Sequence, residues 1–248
     1  MTDQKKILLI GGTSEAVQIN ERISDLNHIL LITSLAGRTN KPTPLNGEVL
    51  PNGFSEVRGM EALVKNRDIS LVIDASHPFA VTISEKSERV CAEQGIEYWR
   101  FNRPEWEEQS GDNWSVEGSL ETAVLELEPY KRIFLTIGRQ ELGAFEKLKN
   151  KDLLIRSIEP ADFNPSDSST TEIRSRGPFS VQDEMNLLRE HQIEVLVSKN
   201  SGGDLTYAKI EAARNLSIPV IMIERPRNIS AQSFSQIDAL IRQLQLSV

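Results

Sequence analysis

The run Gly11-Gly12-Thr13-Ser14 follows four aliphatic residues, Ile7 to Ile10, and precedes apolar positions at Ala16, Ile19, Ile23 and Leu26. A buried strand that breaks at glycines and then enters a helix brings backbone N–H groups and a helix's positive end to one point, which suits a phosphate. Ser14 is expected to cap that helix. The pattern departs from the G-x-G-x-x-G dinucleotide fingerprint, with adjacent glycines and with Ala16 in the last position. Read alone, it fits a plain strand-to-helix turn equally well.

The end of the next strand bears on the choice of cofactor. NAD-binding folds place an acidic residue there for the ribose hydroxyls. This chain offers Ser34, then Gly37-Arg38-Thr39, with no Asp or Glu. A planar guanidinium flanked by hydroxyls matches a 2′-phosphate, which favours NADPH over NADH; the rival reading is a surface arginine in a loop. The third strand closes in Asp74-Ala75-Ser76-His77-Pro78-Phe79-Ala80. A functional reading puts Ser76 and His77 beside the cofactor and Pro78 in the first turn of the next helix. A structural reading gives His77 a hydrogen bond within the turn. In the second half, Thr136-Ile137-Gly138-Arg139-Gln140, Arg174-Ser175-Arg176-Gly177-Pro178-Phe179 and Lys199-Asn200-Ser201-Gly202-Gly203 each pair a cation with glycine at an expected strand end. Three such loops at one sheet edge suggest a cradle for a ligand with several carboxylates or phosphates.

Some chemistries are excluded. No G-x-S-x-G elbow occurs, and no lysine follows Tyr98, Tyr130 or Tyr207 four residues on, so neither serine-hydrolase nor short-chain-reductase chemistry fits. His28, His77 and His191 are not spaced as a metal site, and the single cysteine, Cys91, excludes an internal disulfide or a Cys-rich cluster. No side chain is singled out as a proton donor, so the catalytic residue stays unknown.

The elements that position these loops alternate, strand with helix, which implies parallel sheets covered on both faces. The expected fold is α/β: two Rossmann-like domains with mainly parallel sheets and a cofactor cleft between them. Residues 1–129 would form a dinucleotide-binding domain and 130–248 a second α/β domain, with the crossing near 128–131. Neither half repeats the other residue by residue. Ligands in such sheets sit beyond the carboxyl ends of the strands, where the loops above fall. A net charge of −8 argues against general nucleic-acid binding. No apolar run approaches the ~18 residues of a membrane span. The first residues lead directly into a strand, leaving no room for a signal peptide, so a cytoplasmic protein is expected. Oligomeric state has no sequence signal.

Taken in order, these loops resemble the precorrin-6A reductase family of cobalamin biosynthesis, including its cobalt-precorrin-6A members. The matching stretches are Gly11 to Ala16, Ala36 to Thr39, Asp74 to Ala80, Arg103-Pro104, Ile137 to Gln140, Arg176 to Phe179, Lys199 to Gly203, and Ile218-Pro219-Val220 to Arg225-Pro226. The resemblance implies hydride transfer from NADPH, with NADH as an alternative, to one double bond of a corrin-precursor macrocycle. It implies that Gly11, Gly12, Thr13, Ser14, Gly37, Arg38, Thr39, Ser76, His77, Pro78 and Phe79 hold the dinucleotide. Arg139, Arg176, Lys199, Ser201, Gly202 and Gly203 would meet the substrate, a tetrapyrrole with carboxylate arms. Two rivals share the first half: an NADPH-dependent reductase or epimerase of a small metabolite, and a dinucleotide-sensing module without turnover.

Overall fold

The computed structural model describes residues 4–35, 43–54, 57, 59–227 and 232–247. The chain divides into two compact units, one formed by residues up to Pro104 together with those from Pro226 onward, the other by Glu105–Arg225.

In the first unit β1 (Lys5–Ile10) leads to α1 (Ser14–Ser24), β2 (Ile29–Ser34), the short β3 (Glu48–Leu50) and α2 (Met60–Asn66). Next come β4 (Leu71–Asp74), α3 (Val81–Gln94) and β5 (Glu97–Phe101). All of its strands pair in parallel. The run Ile7 to Ile10 feeds two cores because successive strand side chains point to opposite faces. Ile7 and Leu9 pack with Ala16, Ile19 and Ile23 of α1. Leu8 and Ile10 pack with Met60, Leu63 and Val64 of α2 and with Val90 and Cys91 of α3. A strand covered on both faces must be apolar throughout, which is why this segment shows no alternation.

In the second unit β6 (Trp114–Glu117) and α4 (Leu120–Glu126) precede β7 (Arg132–Thr136), which runs into a 3-10 turn at Arg139–Phe145. Then follow β8 (Asp152–Ser157), β9 (Ser169–Arg174), α5 (Val181–Glu190), β10 (Val195–Lys199), α6 (Ala208–Asn215) and β11 (Val220–Ile223). The chain ends in the first unit with β12 (Ser233–Phe234) and α7 (Ile237–Leu246).

The first sheet has the order β12-β5-β4-β1-β2-β3, and the second β6-β11-β10-β7-β8-β9. Taken from β1 and from β7, both carry the same arrangement: two strands added on one side, then a return to the other. The chain reverses between β1 and β4 in one sheet and between β7 and β10 in the other. Both sheets are wholly parallel, as expected of the α/β reading.

The boundary expected at 129–130 is displaced. β6 lies in the second unit because it pairs with β11, from Trp114↔Val220 to Glu117↔Ile223. The C-terminal helix belongs to the first unit, where Leu240, Ile241 and Leu244 share a core with Ile7, Leu9 and Trp99. Neither association joins sequence neighbours, so local patterning carries no trace of it. The segment after β7 is a 3-10 turn rather than an α-helix, and β9 is an exposed edge strand. Among the described residues no helix is long and apolar enough to cross a membrane.

The placement of α7 yields a direct expectation. Leu240→Ala should cost about 2–5 kcal/mol, the usual range for a fully buried leucine. Hydrogen exchange should speed up at the amides of β1 and α1 and stay unchanged in β7 and β10. Equal acceleration in β10 would contradict the division.

Candidate active site

The loops that leave β1 and β4 lie side by side at the first reversal point. Gly11 N donates to Ser34 O at 2.9 Å, so the turn departs while still tied to β2. Gly12 adopts φ 115°, which side-chain-bearing residues rarely adopt, and a Cβ built there would meet no atom within 4 Å. Thr13 caps α1: it is extended, and its Oγ1 accepts from Ala16 N at 3.1 Å. The same hydroxyl donates to Ala75 O at 2.8 Å, joining the two loops. The cap expected at Ser14 is thus one residue earlier. Ser14 is the first helical residue, and its hydroxyl donates to Glu15, which also pairs with Arg103 at 2.7 Å.

The β4 loop is held from beneath by a buried polar cluster. Asp74 and Arg100 are both buried and form an ion pair at 2.5 Å. Asp74 also accepts from Ser76 N at 2.9 Å and from the Tyr98 hydroxyl at 2.8 Å. Burial, with Asp74 alongside, pushes the Tyr98 hydroxyl far above its ordinary pKa, so Tyr98 remains the donor. Arg100 donates to Ser76 Oγ at 3.0 Å, Ser76 O at 3.4 Å and His77 O at 3.5 Å. His77 Nδ1 accepts from Phe79 N at 3.3 Å, the structural bond considered for it from sequence. Pro78 does not open the next helix: Ala80 N closes a turn on His77 O, and α3 starts at Val81.

At the second reversal point the loops after β7 and β10 are joined by a charge pair. The Lys199 ammonium contacts the Glu141 carboxylate, which also accepts from Gly138 N at 3.2 Å. The cation expected to be offered by this loop is therefore balanced by an acid of the neighbouring loop. Gly202 and Gly203 both have positive φ, 66° and 76°. The Gly203 carbonyl accepts from Trp106 Nε1 at 2.8 Å. Asn200 grips the backbone of Trp106 on both sides, at 2.8 and 3.0 Å, and its carbonyl accepts from buried Arg225 at 3.3 Å. Ser201 is buried, its N–H on Lys199 O at 2.7 Å. Arg176 is exposed, and Gly177 lies so close to Leu205 O that a Cβ would approach it at 2.9 Å. Arg139 donates to Pro160 O at 3.4 Å.

The structure thus brings Gly11, Gly12, Thr13 and Ser14 together with Ser76, His77, Pro78 and Phe79. It also brings Gly138 and Glu141 to Lys199. Gly37, Arg38 and Thr39 lie outside the described residues. Sequence reasoning gave no role to Asp74 and Asn200, although both lie in the loops it singled out, and it did not single out Arg100, Glu141 or Trp106 as site residues. A lone aspartate and an arginine within otherwise apolar strands were the available signals for Asp74 and Arg100.

The family described as Precorrin-6x reductase CbiJ/CobK matches residues 6–245. A precorrin-6A reductase of Rhodococcus erythropolis is 42% identical over 223 residues, 89% of each chain. A precorrin-6A reductase from Sinorhizobium sp is 37% identical over 243 residues, 98% of this chain and 93% of that one. The chain belongs to the precorrin-6x reductase family. A solved structure titled CobK precorrin-6A reductase superposes with a TM-score of 0.89 at 33% identity, covering 98% of this chain and 96% of that one. The family match runs from β1 into α7 and so includes both reversal points.

The position of the α1 cap can be tested by substitution. Thr13→Val removes both hydroxyl bonds and should destabilise the protein by about 1–2 kcal/mol in urea unfolding. Ser14→Ala should stay within about 0.5 kcal/mol of the parent protein. The reverse ranking would return the cap to Ser14.

Proposed function

We propose that this protein reduces one double bond of a precorrin-6A-type macrocycle, with or without cobalt, using NADPH, as a step of cobalamin biosynthesis. Membership in a reductase family calls for a reductant, and a nicotinamide nucleotide is the coarse expectation. The observation that carries the reading is the turn at Gly11–Thr13. It stands where the first parallel sheet reverses, the position at which such sheets take nucleotides. Gly12 leaves open space where any other residue would put a Cβ, so the backbone presents no obstacle to a phosphate.

When bound, the nicotinamide supplies the hydride, and the protein's task is alignment and exclusion of water. In this reading the amides from Gly11 to Ser14 approach the diphosphate, and Ser76, His77, Pro78 and Phe79 line the neighbouring edge. Gly37, Arg38 and Thr39 take the 2′-phosphate, which is the reason to prefer NADPH. In the second unit Arg139, Arg176, Lys199, Ser201, Gly202 and Gly203 receive the carboxylate arms of the macrocycle. A substrate carboxylate at Lys199 exchanges with Glu141, which orients the ammonium until then.

Anaerobic incubation with NADPH and a panel of tetrapyrrole precursors tests the reading directly. Cofactor absorbance should fall only with a precorrin-6A-type compound, together with a change in the macrocycle spectrum. Consumption with small carbonyl compounds alone, or binding without turnover, would overturn it. Arg38→Ala should raise the Michaelis constant for NADPH about tenfold or more while changing that for NADH by less than about twofold. Equal effects would remove the 2′-phosphate role.

A further inference from the structure

Three successive carbonyls of the β4 loop are held by side chains. Ala75 O accepts from Thr13 Oγ1, while Ser76 O and His77 O accept from the Arg100 guanidinium. Ser76 Oγ accepts from the same guanidinium, and Ser76 N donates to Asp74. One buried ion pair therefore sets two successive peptide orientations. In a planar trans peptide the C=O and N–H lie on opposite edges. With Ser76 O turned to Arg100, the His77 N–H edge of that peptide faces away from the guanidinium.

Such a pair is costly to bury, and replacing it with matched apolar side chains is often neutral or stabilising. Asp74 is already served by Tyr98 and Ser76 N without Arg100. Stability alone thus gives little reason for a guanidinium here. Its planar fork does what no smaller group can, since it reaches a carboxylate, a hydroxyl and two carbonyls at once.

We infer that Arg100, held by Asp74, is a positioning residue for the dinucleotide: it sets the Ser76–His77 backbone against which the cofactor lies. The inference rests on the proposed placement of the dinucleotide at the Gly11–Thr13 turn. Arg100 itself touches neither cofactor nor substrate. Its effect reaches the reaction through the loop.

Two variants separate positioning from mere support. Arg100→Lys keeps a charge for Asp74 but loses the fork, and the double variant Asp74→Asn with Arg100→Met removes both charges at similar volume. NADPH affinity is read by titration, and steady-state kinetics are followed with the macrocycle. Both variants should bind NADPH about tenfold more weakly. The kcat at saturation should change by less than about threefold, with the Michaelis constant for the macrocycle unmoved and thermal unfolding still cooperative. A purely structural role would instead lower the apparent kcat through loss of folded enzyme and leave both Michaelis constants unchanged. Gly12→Val serves as the control for the underlying placement and should abolish NADPH binding. If Gly12→Val loses the cofactor while both Arg100 variants bind it like the parent protein, the positioning role is overturned and the placement stands. If Gly12→Val binds NADPH normally, the placement fails, and the role of Arg100 fails with it.

Discussion

Parallel strands all present their carboxyl ends on the same edge, and a sheet grown outward from one strand in both directions must leave two neighbouring loops that turn opposite ways. That reversal is the constraint on which the rest of this protein depends. It occurs between β1 and β4 in the first unit and between β7 and β10 in the second. Each reversal gathers two loops without any need for them to be close in sequence. In both units the two loops are then tied to one another, by Thr13 and Ala75 in the first and by Lys199 and Glu141 in the second. The ties differ in kind. The first is a neutral hydroxyl bond beside a glycine turn with open space around it. The second is a charge pair between an ammonium and a carboxylate.

The two sheets share a strand order but obtain their outermost members differently. β6 precedes the second unit's central strand, whereas β12 follows the whole of that unit before joining β5. The second unit is thus an insertion between β5 and the last strand of the first, bounded by Pro104 and Pro226. A proline lacks the N–H that would continue a ladder, which suits a point where the chain leaves one sheet for another. Arg103 and Arg225 stand immediately before those prolines. Each is engaged within its own unit, Arg103 with Glu15 and Arg225 with the Asn200 carbonyl.

Polar groups buried beneath the loops give the site its rigidity. Asp74, Arg100, Ser76 and Tyr98 are bonded to one another under the β4 loop, with only the Arg100 Nε of that group left without a partner, and Asn200 does the corresponding work under the β10 loop by gripping Trp106. Such groups are tolerated in a core only when they are paired, because an unpaired one loses its hydration without return. Their directional bonds hold a backbone turn more narrowly than apolar packing does.

The sequence by itself determined the class of fold, most of the strands, the glycine turn at Gly11–Gly12, and the family. Apolar runs such as Ile7 to Ile10, ended by glycines, read as strands covered on both faces, and the ordered set of loops is distinctive even though each loop alone is weak. Ser180, the cap of α5, is likewise a residue type whose short hydroxyl suits a helix start. What only tertiary structure decided were the contacts between residues far apart in the chain. β6 joining β11, α7 returning to the first core, Arg100 reaching under Ser76, and Glu141 balancing Lys199 all span long separations and leave no periodicity. Thr13 and Ser14 illustrate the divide at the smallest scale. Both are good capping residues, and the choice fell to Thr13, the one whose hydroxyl bonds both Ala16 N and the carbonyl of Ala75 across the reversal.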